Sequence, residues 1–335
     1  MDLGLSCYSI GDGPLAHCIG ARYAHAFADV TDGIPDHRAL ITDMVAHGCS
    51  PVIDLRTQTA TLGQMIADER QPAYDPPETD REAYDARFEV QHAVWQASIG
   101  ETKLRCKAVI RWYAQSIMEY LYRHPRVQNV EVWGSAEVAH FIHGRGELLD
   151  YSSILRDVYE VVKEHHPEVA IWTGGFGNNC DCSMLERGLA EYAPAHFDVC
   201  NLHPLILSGG FLDVDREAIR RRLEHARHIL DTRCKGQPLC ASAVGVPTIN
   251  IHGAPARYGR FWRAEGGARV ILAEDGMLWW RMMLDNLREA DFQVACIIGR
   301  DVWPPTRISH RCGIVNADGT DKAFTEEFCS EARAT

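Results

Sequence analysis

The chain has 335 residues, 46% of them apolar, and a formal net charge of −12. This composition is typical of a globular protein and excludes a disordered or fibrous one. An acidic surface repels phosphate backbones, so we expect no nucleic-acid partner. No apolar run approaches the ~18–20 residues that span a bilayer, so we expect no membrane partner either.

The amino terminus begins Met1-Asp2-Leu3-Gly4-Leu5, without the basic and apolar regions of a signal peptide. The 12 cysteines show no disulfide-framework spacing. Together these features predict a cytoplasmic protein with reduced thiols. A mature secreted form cut from a precursor remains the alternative.

Short apolar segments alternate with helical patterns along the chain. The predicted strands are residues 3–8, 21–30, 51–55, 127–133, 169–173, 197–202, 238–244 and 292–298. The predicted helices are residues 36–47, 107–123, 151–165, 183–192, 216–232 and 272–289. The polar stretch 56–104 is too long for a structureless loop, so it should hold some helix or a functional lid.

Strands that alternate with helices indicate parallel pairing through right-handed crossovers. Eight such units predict an α/β fold, a single (β/α)₈ TIM barrel with long βα loops. The first strand is followed by Gly11-Asp12-Gly13, which lacks the third glycine of a dinucleotide fingerprint. In a barrel of this kind, function lies at the carboxyl ends of the strands.

The fourth strand and its continuation read Asn129-Val130-Glu131-Val132-Trp133-Gly134-Ser135-Ala136-Glu137. This segment resembles the fourth strand of clan A glycoside hydrolases, the retaining β-glycosidase barrels. Segments 27–55, 169–177, 197–204, 238–248, 294–303 and 313–320 resemble that family in order and spacing. The resemblance implies one glycoside-hydrolase-like barrel over residues 1–335 that binds or processes a glycoside or another polyhydroxylated small molecule at the carboxyl-terminal face.

The catalytic positions of that family differ here. Retaining glycosidases need two carboxyl groups about 5–5.5 Å apart. By the resemblance, Ser135 stands at the acid/base position and Ala243 at the nucleophile position, so neither supplies a carboxylate. Three explanations stay open: natural divergence to other chemistry or to binding alone, relocation of the carboxylates, and deliberate inactivation. The loss of the family's Asn, replaced by Gly134, favours divergence.

Relocated catalytic groups are sought near the same strand ends. Glu137, Asp301 and His203 are the candidates. A plain surface role for Glu137 and a structural ion pair between Arg300 and Asp301 are the alternatives. Glu131 lies within a strand, where burial should raise its pKa and a structural hydrogen-bonded role is expected.

Further residues are expected to line the pocket beneath the 56–104 and 246–268 loops. The predicted substrate-binding set is Trp133, Gly134, Ser135, Ala243, Asn178, His203, Trp303, Asp54 and His25, with Arg56 beside Asp54. Trp95 and Trp262 are additional rings that suit stacking on a sugar.

Metal and thiol chemistry receive weaker support. The sequence Cys180-Asp181-Cys182, with Cys200 and His203 on the next strand, is the best metal-like cluster. There is no paired CxxC and no HExxH, so we predict no metal and no cofactor. A cysteine nucleophile at Cys180, Cys182 or Cys240 would lack an identifiable base. The rival class of function is a non-catalytic carbohydrate-binding or protein-interaction module on the same barrel.

Overall fold

The structure is a computed structural model. It describes residues 1–57, 81–133, 151–175, 196–204, 216–234, 236–246, 248–249, 261–263, 269–272, 275–301 and 312–334.

Eight parallel strands form a nearly closed barrel. They are β1 (Asp2–Ser6), β2 (Tyr23–Asp29), β3 (Ser50–Arg56), β4 (Asn129–Val132), β5 (Ala170–Thr173), β6 (Cys200–Leu202), β7 (Leu239–Val244) and β11 (Phe292–Ile298). Their order in the sheet is β5-β4-β3-β2-β1-β11-β7-β6. An isolated parallel bridge between Trp172 and Val199 links the two ends of this order, so β5 and β6 nearly close the ring. The predicted barrel and all eight of its strands are confirmed.

Seven helices accompany the strands in the described residues. They are α1 (Gly13–Cys18), α2 (Arg38–Ala46), α3 (Arg81–Arg123), α4 (Tyr151–His165), α5 (Arg216–Arg233), α6 (Gly276–Glu289) and α7 (Thr325–Ala334). The predicted helix at 183–192 lies outside the described residues. α1 and α7 were not predicted, because each is short and its apolar periodicity is brief.

Helix α3 is the largest correction to the predicted elements. It begins at Arg81, not at residue 107, and runs for 43 residues. The described side chains of its early part include exposed ones such as Arg87, Glu89 and Val90, so no apolar stripe marks these described residues. The expectation that the 56–104 stretch holds some helix is thereby confirmed for its second half.

A second small sheet precedes α6. Its strands are β8 (Thr248–Ile249), β9 (Phe261–Arg263) and β10 (Arg269–Leu272), with β10 in the middle. β10 pairs parallel to β8 and antiparallel to β9. The predicted helix start at residue 272 is therefore wrong, because Leu272 ends a strand and α6 begins at Gly276.

The interior of the barrel is filled in layers, because alternate strand residues point inward. Nearer the amino ends of the strands lies an apolar cluster of Val52, Trp172, Val199, Cys240, Val294 and Cys296. Gly4 of β1 makes room for this cluster, since a Cβ at that position would lie 2.5 Å from the Cys296 Sγ atom. The next inward positions toward the carboxyl ends of β3, β6 and β7 are the polar residues Asp54, Asn201 and Ser242.

Two buried tyrosines from the helices make hydrogen bonds to the backbone at the carboxyl ends of β3 and β4. The Tyr113 hydroxyl, from α3, donates to the Leu55 carbonyl and accepts from the Trp133 N–H. The Tyr151 hydroxyl, from α4, donates to the Val132 carbonyl at 2.7 Å. Each satisfies backbone groups where the regular ladder stops, and burial raises the pKa of both phenols.

Within the described residues, no helix combines the length and the apolar character needed to cross a membrane.

Candidate functional site

A layer of polar side chains crosses the barrel near the carboxyl ends of its strands. We call it the polar layer, and its fully buried members are Ser6, His25, Asp54, Glu131, Asn201 and Ser242. Six different strands supply these residues. Buried polar groups are costly unless they are paired, so the layer has to be understood through its contacts.

Glu131 of β4 lies at the centre of these contacts. Its Oε2 atom is 3.2 Å from His25 Nε2, and its Oε1 atom is 3.3 Å from His203 Nε2. Oε1 also accepts a hydrogen bond from the Gly175 N–H at 3.2 Å. The carboxylate is thus held from three sides.

These contacts reverse the effect expected of burial on Glu131. Burial by itself raises the pKa of the carboxyl group, but the two histidines outweigh it and lower the pKa to about 2. The predicted rise is therefore wrong. Glu131 is held as a carboxylate, and its role in holding both histidines fits the structural role that was expected for it.

His25 of β2 is fixed on both sides of its ring. Its Nδ1 atom is 3.1 Å from the Ser6 hydroxyl, while Nε2 faces Glu131. The ring also meets Phe27 edge-on, with ring centroids 5.0 Å apart. His25 is fully buried, so it lies inside the barrel and not on the pocket surface.

His203, at the carboxyl end of β6, is the layer's outermost described member. It retains 8% exposure, and its Nε2 atom is 2.8 Å from the Ser242 hydroxyl. Asn201 supports that hydroxyl, because its amide donates to Ser242 Oγ at 2.8 Å and accepts from the Ser242 N–H at 2.8 Å. Asn201 of β6 and Ser242 of β7 therefore hold one ring nitrogen of His203 in place.

The Ser242, His203 and Glu131 contacts do not form a nucleophilic triad. In a triad the base uses one ring nitrogen for the serine and the other for the carboxylate. Here both partners contact the same atom, Nε2. The geometry therefore positions the imidazole and does not activate a serine.

Two glycines that follow β5 make room for this arrangement. A Cβ on Gly175 would overlap the His203 ring, and a Cβ on Gly174 would overlap the Trp133 carbonyl oxygen. The Gly-Gly pair thus permits the backbone of β5 to approach β4 and His203 closely. The approach also brings the Gly175 N–H to Glu131.

Asp54 of β3 completes the inner side of the layer. It is fully buried and stands beside Glu131 in the pairing of β3 with β4. A ring nitrogen of His25 and one carboxylate oxygen each of Asp54 and Glu131 lie within 4.8 Å of one another. Asp54 and His25, predicted as pocket residues, are therefore brought together, but below the surface.

Ala243 lies near the end of β7 and is 6% exposed. The pairing of β7 with β11 shifts between Ala241 and Val244, which marks a bulge around Ser242 and Ala243. The β7 side chain that contacts His203 is Ser242, the residue before the predicted family position.

Trp133 is packed into the helix layer. Its ring stacks on Tyr113 with centroids 4.9 Å apart, and its indole N–H donates to Thr57 Oγ1 at 3.2 Å. It is 2% exposed, which leaves it little surface for the predicted stacking on a sugar. Its φ of 58° directly after β4 is a strained backbone for a bulky residue.

Asp301 and Arg300 follow β11 and pair with other residues instead of with each other. The Asp301 carboxylate lies 2.9 Å from Lys322 Nζ and accepts from the Gly313 N–H at 2.9 Å. Arg300 Nε donates to Asp12 at 2.6 Å. Both residues therefore fasten segments of the chain, and the alternative of an Arg300–Asp301 pair is not realised.

Several predicted residues lie outside the described part of the chain. They are Gly134, Ser135, Glu137, Asn178, Cys180, Cys182 and Trp303, together with the side chains of Trp95 and Trp262.

Three residues of the polar layer were not predicted. They are Ser6, Asn201 and Ser242. A usable signal existed, since each is a polar residue at an inward position of an otherwise apolar strand. Without the register of neighbouring strands, however, that signal does not show which side chains meet.

No family model and no curated protein matches this chain. Among solved structures, the β-glucuronidase of Bifidobacterium dentium superposes with a TM-score of 0.58 at 12% identity, covering 99% of this chain and 46% of that one. The enzyme of Dictyoglomus thermophilum gives 0.54 at 14%, covering 97% and 46%. A β-glucuronidase of an uncultured Clostridium sp. gives 0.53 at 13%, covering 97% and 46%.

This chain thus spans less than half the length of each of these three proteins. At such low identity the similarity is one of fold. The chain therefore has a (β/α)₈ barrel whose fold is similar to that of a part of these β-glucuronidase structures.

Proposed function

We propose that this chain is a single barrel that binds a glycoside or another polyhydroxylated small molecule at the carboxyl-terminal face. The glycosidase-like fold supports this proposal, because ligands of such barrels bind where the βα loops meet the strand ends. The chemistry of the described strand ends supports it independently.

The observation that carries the proposal is the position of His203. The six fully buried residues of the polar layer form a floor, and His203 is the described neighbour that keeps some exposure above it. Its ring is held through Nε2 by Ser242 and Glu131. A preorganised imidazole at a barrel mouth suits hydrogen bonding to a hydroxyl group at little entropic cost.

Arg56 favours a uronide as the first ligand class to test. It ends β3, and its guanidinium carbon lies 4.1 Å from the centroid of the Phe27 ring. A stacked, planar guanidinium suits bidentate recognition of a carboxylate such as that of a uronic acid. One of the similar β-glucuronidases was solved with coumarin-3-O-glucuronide.

The proposal does not include double displacement through the family's pair of glutamates. Ala243 has no group that can attack an anomeric carbon, and Ser135 is no acid. Asp54 and Glu131 are close together but fully buried, beneath the reach of a ligand. Asp301 is engaged by Lys322.

The test is a binding panel on the full chain. Calorimetric titration with aryl β-glucuronides, β-glucosides and β-galactosides should give saturable binding to at least one class. His203→Ala should weaken that binding about 10-fold or more, a loss typical of a hydrogen bond to a positioned polar group. His165→Ala, which changes an exposed histidine at the end of α4, is the matched control. Absence of binding across the panel would refute the proposal.

Turnover measured on the same aryl glycosides separates the two classes of function. Hydrolysis by the natural chain that Glu137→Gln abolishes would identify a relocated carboxylate. Binding without hydrolysis would identify a non-catalytic carbohydrate-binding module. Strong hydrolysis after Ser135→Glu with Ala243→Glu would indicate a disabled glycosidase, whereas continued silence would indicate a remodelled pocket.

A further inference from the structure

The side chains of His25, Asp54 and Glu131 converge inside the barrel from three neighbouring strands. Asp54 and Glu131 are paired in register across β3 and β4, and β2 lies on the other side of β3. One nitrogen and two carboxylate oxygens lie within 4.8 Å of one another, and all three residues are fully buried. This set is called the inner triad below.

Two buried polar atoms of the inner triad have unused hydrogen-bonding capacity. His25 Nε2 and Glu131 Oε2 are 3.2 Å apart, yet neither atom makes a hydrogen bond with the described residues. Two buried polar atoms are therefore aimed at the same point without a directed bond between them.

The surroundings orient these atoms in the way that metal ligands are oriented. Ser6 contacts His25 through Nδ1 at 3.1 Å, which leaves Nε2 facing the carboxylates. A metal-binding histidine commonly donates its other ring N–H to such a partner. On Glu131, the Gly175 N–H and His203 engage Oε1, which leaves Oε2 facing His25.

We propose that the inner triad binds one divalent transition-metal ion, with Zn²⁺ as the best fit. Zinc bonds to histidine nitrogen and carboxylate oxygen measure about 2.0–2.2 Å, so two tetrahedral ligands stand about 3.3–3.5 Å apart. The 3.2 Å between His25 Nε2 and Glu131 Oε2 nearly equals that separation. Mg²⁺ and Ca²⁺ fit less well, because they prefer all-oxygen sites.

This site is separate from the proposed sugar pocket and does not depend on it. The ion would lie within the floor of the barrel and balance the two carboxylates. Three protein ligands leave a fourth position for water. The ion would also fix Glu131, and through it the ring of His203, so metal loading should stiffen the strand ends.

The test uses the full chain after dialysis against a chelator and then against chelator-free buffer. Titration with Zn²⁺ should show one tight site per chain and raise the melting temperature. Co²⁺ should give visible bands of a nitrogen- and oxygen-ligated ion. Thiolate-to-cobalt charge-transfer bands would mean that cysteines hold the metal, and would overturn the proposal.

Variants locate the site. Asp54→Asn and Glu131→Gln should each lower the Zn²⁺ affinity by about 100-fold or more, because each removes a charged ligand. Ser6→Ala keeps all three ligands and should lower the affinity about 10–100-fold. Asp198→Asn, which changes a part-exposed carboxylate paired with Lys163, is the control and should bind as the natural chain does.

Two results would refute the inference. One is the absence of stoichiometric binding to the natural chain, a measurement that requires no variant to fold. The other is binding that Ser6→Ala, Asp54→Asn and Glu131→Gln leave unchanged. Neither result bears on sugar binding, which is measured separately with metal-free protein.

Discussion

The ring of His203 lies directly against the α-carbon of Gly175, so that any side chain at position 175 would overlap it. The two residues come from adjacent strand ends, β6 and β5. This contact joins the exposed edge of the polar layer to the backbone that donates to Glu131. It also explains the sequence Gly174-Gly175, because a side chain at either position would overlap a neighbouring group.

Gly175→Ala should displace His203 and weaken ligand binding while the protein still folds. Overpacking of this kind costs about 1–3 kcal/mol of stability. Urea unfolding measures the cost, and calorimetric titration measures the affinity for the sugar found in the panel. Gly20→Ala is the control: Gly20 has a φ of 64° and open space around it, so only backbone strain is added. Equal sugar affinity in both variants would contradict the role given to Gly175.

Glu131→Gln should destabilise the protein by about 3–5 kcal/mol, because it removes the charge that two buried histidines face. Urea unfolding of the metal-free protein at neutral pH is the measurement. The comparison variant is Glu119→Gln, whose exposed pair with Arg123 should contribute about 0–1 kcal/mol. A loss for Glu131→Gln no larger than that of the control would show that the polar layer is not tightly coupled.

Asp301→Asn should destabilise the protein by a similar amount without changing sugar affinity. The Lys322 side chain is fully buried, and Asp301 lies 2.9 Å from its ammonium group, so the substitution removes a counter-charge from a buried cation. Asp157→Asn, in an exposed pair with Arg156, is the control for stability. If Asp301→Asn abolished binding but preserved stability, Asp301 would belong to the pocket after all.

The stability of the barrel should fall with rising pH above about pH 9, in part because of Cys240. Burial raises the pKa of its thiol from 9.0 to about 12. The unfolded chain therefore releases this proton at a lower pH than the folded chain does, and stability is lost between the two values. Below about pH 9 the Cys240 thiol is protonated in both the folded and the unfolded chain, so no stability is lost through it.

Urea midpoints at pH 7.5 and pH 10 test this expectation. Cys240→Ala should show a smaller drop between the two pH values than the natural chain, since the cost of the missing sulfur is the same at both. Cys234→Ala should reduce the drop by nearly the same amount, because burial raises the pKa of that thiol to about 11, which still lies above pH 10. An identical drop in all three proteins would rule out the thiols as the cause.

The sequence predicted the barrel because the spacing of apolar residues differs between strands and helices and can be recognised over a few residues. Segments such as 51–55 and 292–298 are short apolar runs between helical stripes, and both proved to be barrel strands. Helix α3 was predicted only where one face is buried. Its early part mixes charged residues such as Arg87 and Glu89 with apolar ones such as Phe88 and Val90, so local pattern carries little information there.

The candidate site was predictable only in part. His25, Asp54 and His203 were identified from their places on the strands, and the structure brings all three to the polar layer. The lowered pKa of Glu131 was not predictable, because it depends on two histidines that belong to distant segments. Ser242 was also missed, since a bulge in β7 decides which side chain reaches His203.

The sequence alone predicted the number of strands and their parallel order. It also showed that positions 135 and 243 carry no carboxylate. Only the tertiary structure decided that Glu131 joins His25 to His203, that Trp133 packs against Tyr113, and that Asp301 holds Lys322. The physical reason is that hydrophobic periodicity acts over a few residues, whereas contacts across a barrel depend on the register of every strand between them.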